Sequence, residues 1–447
     1  MHLRLTRSAR TAGTDYVPAD EPEARNRRRF AALVLLVGIT ALAFNLRPTI
    51  TSLPPVFPEL AARLGLSSAA VTTLATIPVV CFGVFSGFAT RLSRQVGDEQ
   101  ALFAALAVLT VSLALRGAFP GVALFPATIL AAGAIAIMNV LLVGMVKRRM
   151  PARAGLVVGI YLLSLSAGSI IGSLISVPVY QSSGGSVRDV LGLWALPAAV
   201  ATIAWLPQLS LRVRSQSAGP AGGAGPAGGA GGAQPAGPGG GAGGAGRRTS
   251  RISRITGHGV HRYVLAWQVA AFMGLQSLIF YSTLSWLPTL FRDRGASAAQ
   301  AGVLISVMSL GGLPTALLVP VLAHRAADQR LLVIPTALLS GAGIAAALVA
   351  PLSTAVAWMT LLGAAQGSAL GLAIFFTIAR AATPATAASL SALAQGAGYL
   401  VASTGPLLVG FLHSATAGWT IPIFLLLGFT VIELVAGYLA ARPRVIE

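Results

Sequence analysis

The chain has 447 residues, of which 55% are hydrophobic and only 10% are charged, and its mean hydropathy is +0.79. A soluble protein does not carry this much apolar surface, so the composition predicts an all-α polytopic membrane protein. The net charge of +19 does not predict a nucleic-acid partner, because the basic residues lie between apolar segments rather than on one basic domain. With Cys81 as the single cysteine, an internal disulfide and a cysteine metal cluster are excluded.

Residues 1–29 are polar and rich in arginine, which predicts a disordered cytoplasmic tail rather than a cleaved signal peptide. Apolar runs then recur, each long enough to cross a hydrocarbon core of about 30 Å. Six of them predict an N-terminal six-helix bundle over residues 30–207, with spans near 30–58, 68–90, 99–118, 122–146, 153–178 and 188–207.

Residues 208–262 are rich in Gly, Ala and Pro and predict a flexible cytoplasmic linker. A C-terminal six-helix bundle is predicted over residues 263–441. Its spans are near 263–290, 298–323, 329–350, 353–377, 386–412 and 418–440, and residues 442–447 form a short cytoplasmic tail. The stretch 331–379 has no charge, and the turn signal at Pro351 divides it into two spans.

The positions of the basic residues predict the topology. The great majority of the 31 Lys and Arg residues fall in the tail, the linker and every second loop, which places both termini in the cytoplasm and the spans in the cell membrane.

The two halves of the chain also align with each other at a nearly constant shift. Ser67 aligns with Ser297, and Lys147 aligns with Arg380. The shift predicts a parallel internal repeat, with a binding site at the interface of the two bundles. Lys147, Arg380 and Asp98 lie at predicted cytoplasmic ends of spans and are candidates for coupling or gating.

Arg47 is the main candidate for solute binding, since it puts a permanent charge inside the first predicted span. A charge near the bilayer centre costs several kcal/mol, so Arg47 is predicted to face a polar cavity. Asn45 supplies an amide beside it. The open alternative for Arg47 is an ion pair or a carbonyl clamp that locks two helices.

Polar residues of the other spans complete the predicted site. In the seventh span, Gln276 lies in a stripe that alternates amides with aromatics, which could cradle a flat polar solute. Hydrogen bonding between helices is the open alternative. The remaining lining candidates are Asn139, Tyr161, Tyr281, Gln366, Gln395 and Tyr399.

Glu433 is the carboxylate that lies deepest in a predicted span and is a candidate for proton coupling. Its alternatives are snorkelling to the membrane surface and pairing with Arg442 or Arg444. The sequence has no P-loop, and its five histidines form no metal-binding pattern. We therefore expect neither an enzyme nor a bound metal or cofactor.

Five segments carry a resemblance to a known family. They are FNLRPTITSLPP (44–55), ATIPVVCFGVFSGFATRLSRQVG (75–97), NVLLVGMVKRRMPARAGLVVGIY (139–161), WQVAAFMGLQSLIFYSTLSWLPTLF (267–291) and AQGAGYLVASTGPLLVGFLHSATAGW (394–419). With twelve predicted spans and a basic central loop, the chain resembles the major facilitator superfamily, and within it the cyanate and 2-nitroimidazole transporter (CynX/NimT-like) family.

The resemblance implies a fold of two pseudo-symmetric six-helix bundles in which helices 1, 4, 7 and 10 line a central cavity. It supports Asn45, Arg47, Asn139, Gln276 and Gln366 as lining residues, and it demotes Glu433 because helix 12 normally packs outside. The sequence departs from the superfamily's loop motif between helices 2 and 3, where Arg91 follows Gly87 by four residues. The charge relay of that motif is therefore remade by Asp98 or absent.

Together these observations predict a secondary active transporter that moves a small anionic or planar polar solute, such as a cyanate-like anion or a nitroimidazole-like compound, by alternating access. Its partners would be the solute, the lipid bilayer and, as one candidate coupling ion, the proton. We expect a monomer. Two alternatives stay open at this point: a membrane receptor or sensor without net flux, and an efflux carrier for toxic compounds with the same fold.

Overall fold

The computed structural model describes residues 22–149, 154–217 and 259–446. Within these ranges, 12 helices are long and apolar enough to cross a membrane, and the only β-type pairing is an isolated bridge between Ala381 and Ile446. The all-helical fold and the predicted number of spans are therefore confirmed.

Fifteen α-helices make up the described part of the chain. The N-terminal half contains α1 (Pro22–Asn45), α2 (Pro48–Thr51), α3 (Phe57–Leu64), α4 (Ser68–Val96), α5 (Asp98–Ala118), α6 (Pro120–Arg149), α7 (Ala154–Ser182), α8 (Val187–Gly192) and α9 (Ala195–Ser217). The C-terminal half contains α10 (Val264–Asp293), α11 (Ala298–Arg325), α12 (Arg330–Val349), α13 (Ala355–Ala379), α14 (Pro384–Thr416) and α15 (Thr420–Ala440).

Two predicted boundaries need correction. Helix α1 already begins at Pro22, inside the predicted disordered tail, and α9 continues to Ser217, inside the predicted linker. Both extensions contain arginines together with Glu and Ala (22–29) or Leu and Gln (208–217), which favour helix and let a span continue beyond its apolar part. The rest of the tail (1–21) and most of the linker (218–258) lie outside the described residues.

The first span is broken, where the sequence predicted one helix over 30–58. Helix α1 ends at Asn45, α2 begins at Pro48, and a 3₁₀ turn over Pro54–Val56 leads into α3. Proline has no N–H, so Pro48 cannot donate to the carbonyl of Phe44, and its ring disfavours a straight helix. The break places Arg47 between two helical segments, in the middle of the span Leu33–Leu64.

Helix α7 packs against this broken segment through two glycines. A Cβ on Gly168 would lie 2.2 Å from the carbonyl oxygen of Phe44, and a Cβ on Gly172 would lie 2.4 Å from Oγ1 of Thr51. Contacts this close are open only to glycine, as in other membrane helix pairs with small residues at the interface. Gly168 and Gly172 therefore fix the position of the segment that carries Arg47.

The two halves begin their second spans with the same local structure. Gly65 and Gly295 have φ values of +63° and +95°, which glycine adopts readily. Ser67 and Ser297 then cap α4 and α11, since each hydroxyl accepts a hydrogen bond from the backbone N–H three residues later. These matched turns occupy the positions that the internal repeat aligns.

The two halves meet along two helix pairs, α4 with α14 and α7 with α11. In the second pair, the hydroxyls of Ser169 and Ser309 are 3.1 Å apart, and those of Ser173 and Ser306 are 2.8 Å apart. The interface between the halves thus includes a short row of hydroxyl contacts, which we call the serine ladder.

A further set of contacts joins the halves at one end of the molecule. We call this end, where α3 ends and α11 begins, the distal face; the other end, where α1 begins and α15 ends, is the termini face. Arg292 donates to Glu59 over 2.8 Å, and the rings of Phe57 and Trp286 pack at a centroid distance of 6.4 Å. These contacts hold the halves together at the distal face.

Candidate substrate site

Arg47 is half-buried, and its guanidinium lies over the ring of Phe280, with 5.4 Å from Cζ to the ring centroid. The Nη1 atom is buried and has no hydrogen-bond partner among the described residues. A buried donor without an acceptor is costly, and a charged one more so. Nη1 is therefore the group that a bound hydrogen-bond acceptor would satisfy.

Three tyrosines surround Arg47. Tyr161 of α7, Tyr281 of α10 and Tyr399 of α14 each interact electrostatically with the guanidinium. A phenol hydroxyl can donate or accept a hydrogen bond. Hydroxyls from both halves of the molecule thus lie within electrostatic reach of Arg47.

Aromatic rings and one amide complete the surroundings. Phe82 of α4 packs against Tyr281 and Tyr399 at centroid distances of 6.0 and 5.8 Å. The hydroxyl of Tyr161 donates to Oδ1 of Asn139, on α6, over 3.1 Å. We call this group the Arg47 cluster; its members are Arg47, Phe82, Asn139, Tyr161, Phe280, Tyr281 and Tyr399.

The Arg47 cluster contains several residues that the sequence singled out and one that it did not. Arg47, Asn139, Tyr161, Tyr281 and Tyr399 were candidates, and Phe280 is one of the aromatics in the stripe of the seventh span. Phe82 was not a candidate, because an apolar residue within a span carries no signal of its own.

Asn45 lies outside the Arg47 cluster. Its Nδ2 donates to the carbonyl of Ala41 over 2.9 Å and to that of Pro197, on α9, over 3.1 Å. The side chain is turned to the first turn of α9, where it joins α1 to that helix. Its amide hydrogens are already used by these two carbonyls.

Asn45→Ala is expected to lower stability and leave the apparent affinity for solute unchanged. The variant loses a hydrogen bond between two helices, which is worth about 1 kcal/mol. Thermal unfolding of the purified protein and the KM of transport measure the two effects. Thr40→Ala is the matched control, since the Thr40 hydroxyl bonds only within α1, to Leu36. A raised KM with unchanged stability would contradict this assignment.

Three predicted glutamines also bond outside the Arg47 cluster. Gln276 donates to Ser277 over 2.7 Å, Gln366 donates to Ser340 of α12 over 3.2 Å, and Gln395 donates to Ser391 over 2.9 Å. Each amide thus has a partner within the C-terminal half. The bond of Gln366 joins two helices, whereas those of Gln276 and Gln395 lie within their own helices. Oε1 of Gln366 is buried without a hydrogen-bond partner among the described residues.

The candidates for coupling or gating are scattered. Asp98 accepts a hydrogen bond from the hydroxyl of Ser93 at the turn between α4 and α5. Lys147 is in the last turn of α6, and its side chain lies outside the described ones. Glu433 is only 2% exposed, which excludes snorkelling, and its Oε2 has no hydrogen-bond partner in the part of the chain that the structure describes.

Arg380 has a clear structural role at the termini face. Its guanidinium donates to the carbonyls of Ala440 and Ala441, at the end of α15, and to Oε1 of Gln329, over 2.8 to 3.0 Å. Burial lowers the pKa of Arg380. The carbonyls that it contacts lie at the C-terminus of a helix, where a positive charge is favourable. Arg380 therefore ties the end of α13 to the end of α15.

A comparison with models of protein families identifies the family to which this chain belongs. The family model described as Major Facilitator Superfamily matches residues 33–406, which is most of the chain. The chain belongs to the Major Facilitator Superfamily. It is thus a multi-pass membrane transporter of small solutes and not an enzyme.

Individual members of the superfamily agree with this result. The 2-nitroimidazole transporter of Escherichia coli (strain K12) is 32% identical over 415 residues, which cover 93% of this chain and 97% of the relative. The cyanate transport protein CynX of the same organism is 27% identical over 405 residues, covering 90% and 96%. The resemblance to this transporter family is confirmed.

A solved structure supports the fold. The inward-facing, unoccupied form of a bacterial homologue of the human lysosomal transporter Spinster superposes with a TM-score of 0.65 at 16% identity, covering 95% of this chain and 98% of that structure. At this identity the likeness shows the major facilitator fold alone.

Proposed function

We propose that this protein is a secondary active transporter that binds a small anionic or planar polar solute at the Arg47 cluster and moves it by alternating access. The observation that carries the proposal is the buried, unpartnered Nη1 of Arg47, which lies among side chains from both halves of the molecule. In a membrane interior, a cation without an internal partner is a functional group by default.

The chemistry of the Arg47 cluster favours a compact anion or a flat polar molecule. Phe280 covers one face of the guanidinium, which leaves its N–H edge for the solute. A guanidinium edge donates two parallel hydrogen bonds, which suits the paired oxygens of a carboxylate or nitro group, and its charge suits a compact anion such as cyanate. Phe82 and the tyrosine rings provide apolar faces for a planar body. Cyanate and 2-nitroimidazole, which two relatives are named for, both fit this description.

The position of the Arg47 cluster between two halves that are joined at the distal face supports alternating access. The Glu59–Arg292 ion pair and the Phe57–Trp286 contact cross from one half to the other on that side of the cluster. Movement of solute to the distal face requires these contacts to separate. From the distribution of Lys and Arg, we place the termini face in the cytoplasm.

Cross-linking the two halves at the distal face should stop transport. With cysteines at Glu59 and Arg292 in a Cys81→Ala background, a short bismaleimide is expected to reduce solute flux to background, because the halves can no longer part. Cysteines at Arg294 and Ala350, which meet within the C-terminal half, provide the control that keeps its flux when cross-linked. Full flux through protein cross-linked between positions 59 and 292 would exclude alternating access by opening at this face.

The proposed function is tested by solute flux into proteoliposomes that hold the purified protein. Labelled cyanate and labelled 2-nitroimidazole are compared, each with and without an imposed proton gradient. Saturable flux supports a carrier, its direction separates uptake from efflux, and its response to the gradient decides proton coupling. Binding of either solute without flux would instead support a receptor. If the folded protein neither bound nor transported either solute, the proposed solute class would be excluded.

A further inference from the structure

A second buried arginine lies far from the Arg47 cluster. Arg116 is in the last turn of α5, near the distal face of the N-terminal half, and its side chain is 0% exposed. Its Nε, Nη1 and Nη2 atoms are all buried and have no hydrogen-bond partner among the described residues. A guanidinium does not give up its proton in a protein, so the positive charge stays. Burial of such a charge is very unfavourable unless an acceptor or a counter-charge accompanies it.

A second unsatisfied donor lies in the adjoining helix segment. Trp194 follows α8 and leads into α9, is buried, and its Nε1 likewise has no partner in the described part of the chain. Helix α5 packs on both α8 and α9. At Gly117 the packing is tight, since a Cβ there would lie 2.5 Å from Cα of Gly192. Arg116 and Trp194 therefore flank one tight helix contact, Arg116 directly before Gly117 and Trp194 two residues after Gly192.

The unsatisfied atoms at this contact are all donors. The carboxylate nearest in sequence, Asp189 of α8, is exposed, and its backbone N–H is capped by Ser186. A water molecule would accept hydrogen bonds but would leave the charge of Arg116 uncompensated in a medium of low dielectric constant. A monovalent anion satisfies the donors and cancels the charge.

We propose that the N-terminal half binds a small monovalent anion, of the size of a halide, between the ends of α5 and α8, held by the guanidinium of Arg116 and the indole N–H of Trp194. The tight packing of Gly117 on Gly192 favours a monoatomic ion over a bulky oxyanion. This anion is structural: it neutralises Arg116 and joins α5 to the segment before α9. It is distinct from the solute at the Arg47 cluster.

The test is the thermal stability of the purified full-length protein as chloride replaces gluconate at constant ionic strength. An anion that binds only the folded protein raises the folded-to-unfolded ratio about a hundred-fold when its concentration is a hundred times Kd. We therefore expect a saturable rise of several degrees in the apparent melting temperature. A melting temperature that does not respond to chloride would overturn the proposal.

Single-residue variants test whether the effect of chloride on the melting temperature arises at Arg116 and Trp194. Arg116→Met removes the charge and keeps an apolar chain, so its stability should not depend on chloride. Trp194→Phe should fold normally and weaken the apparent chloride affinity roughly tenfold, since it loses one hydrogen bond to a charged group. Arg188→Gln, at an exposed arginine nearby, and Arg47→Gln, at the solute site, should both keep the full response. A chloride response that persists in Arg116→Met, or one that disappears in Arg47→Gln, would overturn the assignment to Arg116.

Discussion

Arg47→Ala is expected to reduce solute flux by about a hundred-fold or more while the protein still inserts and folds. Removing one partner of a buried, hydrogen-bonded charge contact costs roughly 3 kcal/mol of binding free energy, which corresponds to this factor. Folding should not suffer, because the variant removes a buried donor, Nη1, that has no hydrogen-bond partner among the described residues. The measurement is initial flux into proteoliposomes, normalised to protein that elutes as a single species in gel filtration.

Two further variants sharpen this test. Arg47→Lys should also be strongly impaired, because an ammonium group cannot donate two parallel hydrogen bonds from a planar edge. Arg188→Ala, at an exposed arginine, should transport normally. If Arg47→Ala showed unchanged transport kinetics, Arg47 would have only a structural role and the proposed site would be wrong.

Gly168→Ala is expected to have the second largest effect, although position 168 is not a member of the Arg47 cluster. The added methyl would lie 2.2 Å from the carbonyl oxygen of Phe44. This distance is far below van der Waals contact, so α7 must move away from the broken first span. Overpacking of this kind costs about 1–3 kcal/mol of stability. Because the displaced segment carries Arg47, flux should also fall by about tenfold.

Helix α7 supplies the control for this variant. A Cβ on Gly159 would meet nothing within 4 Å, so Gly159→Ala changes helix propensity without a clash. Gly159→Ala should keep normal flux and show equal or slightly higher thermal stability. Normal flux in Gly168→Ala would show that the position of Arg47 does not depend on the contact between α7 and Phe44.

The spans could be predicted well because the bilayer leaves few alternatives. A chain segment in lipid must satisfy its own backbone groups, so a long charge-free run has to be a helix. The run 331–379 was divided correctly at Pro351, since α12 ends at Val349 and α13 begins at Ala355. The break at Arg47 was less predictable, because prolines within α4, α6 and α10 leave those helices unbroken.

The site was predictable only where a residue was chemically exceptional. Arg47 was found because a guanidinium within a span has few explanations other than function. The orientation of its neighbour Asn45 could not be predicted, because the break in the first span after Asn45 changes the direction of the chain, and the Asn45 side chain bonds to Pro197 of α9. A buried amide such as that of Gln366 does not by itself indicate a solute site, since any adjacent helix can supply it with a hydrogen-bond partner.

The serine ladder has a consequence for how easily the two halves can part. The Ser173 hydroxyl also lies 3.0 Å from the carbonyl oxygen of Ser169 in its own helix, and the Ser306 hydroxyl lies 3.0 Å from that of Gly302. Each hydroxyl has one hydrogen, so only one of the two donates across the contact between them. If α7 and α11 separated, both could donate to these local carbonyls, so this pair would leave no buried donor unsatisfied. The contact therefore adds specificity to the closed arrangement and little resistance to opening, which suits an interface that must be broken and remade in every transport cycle.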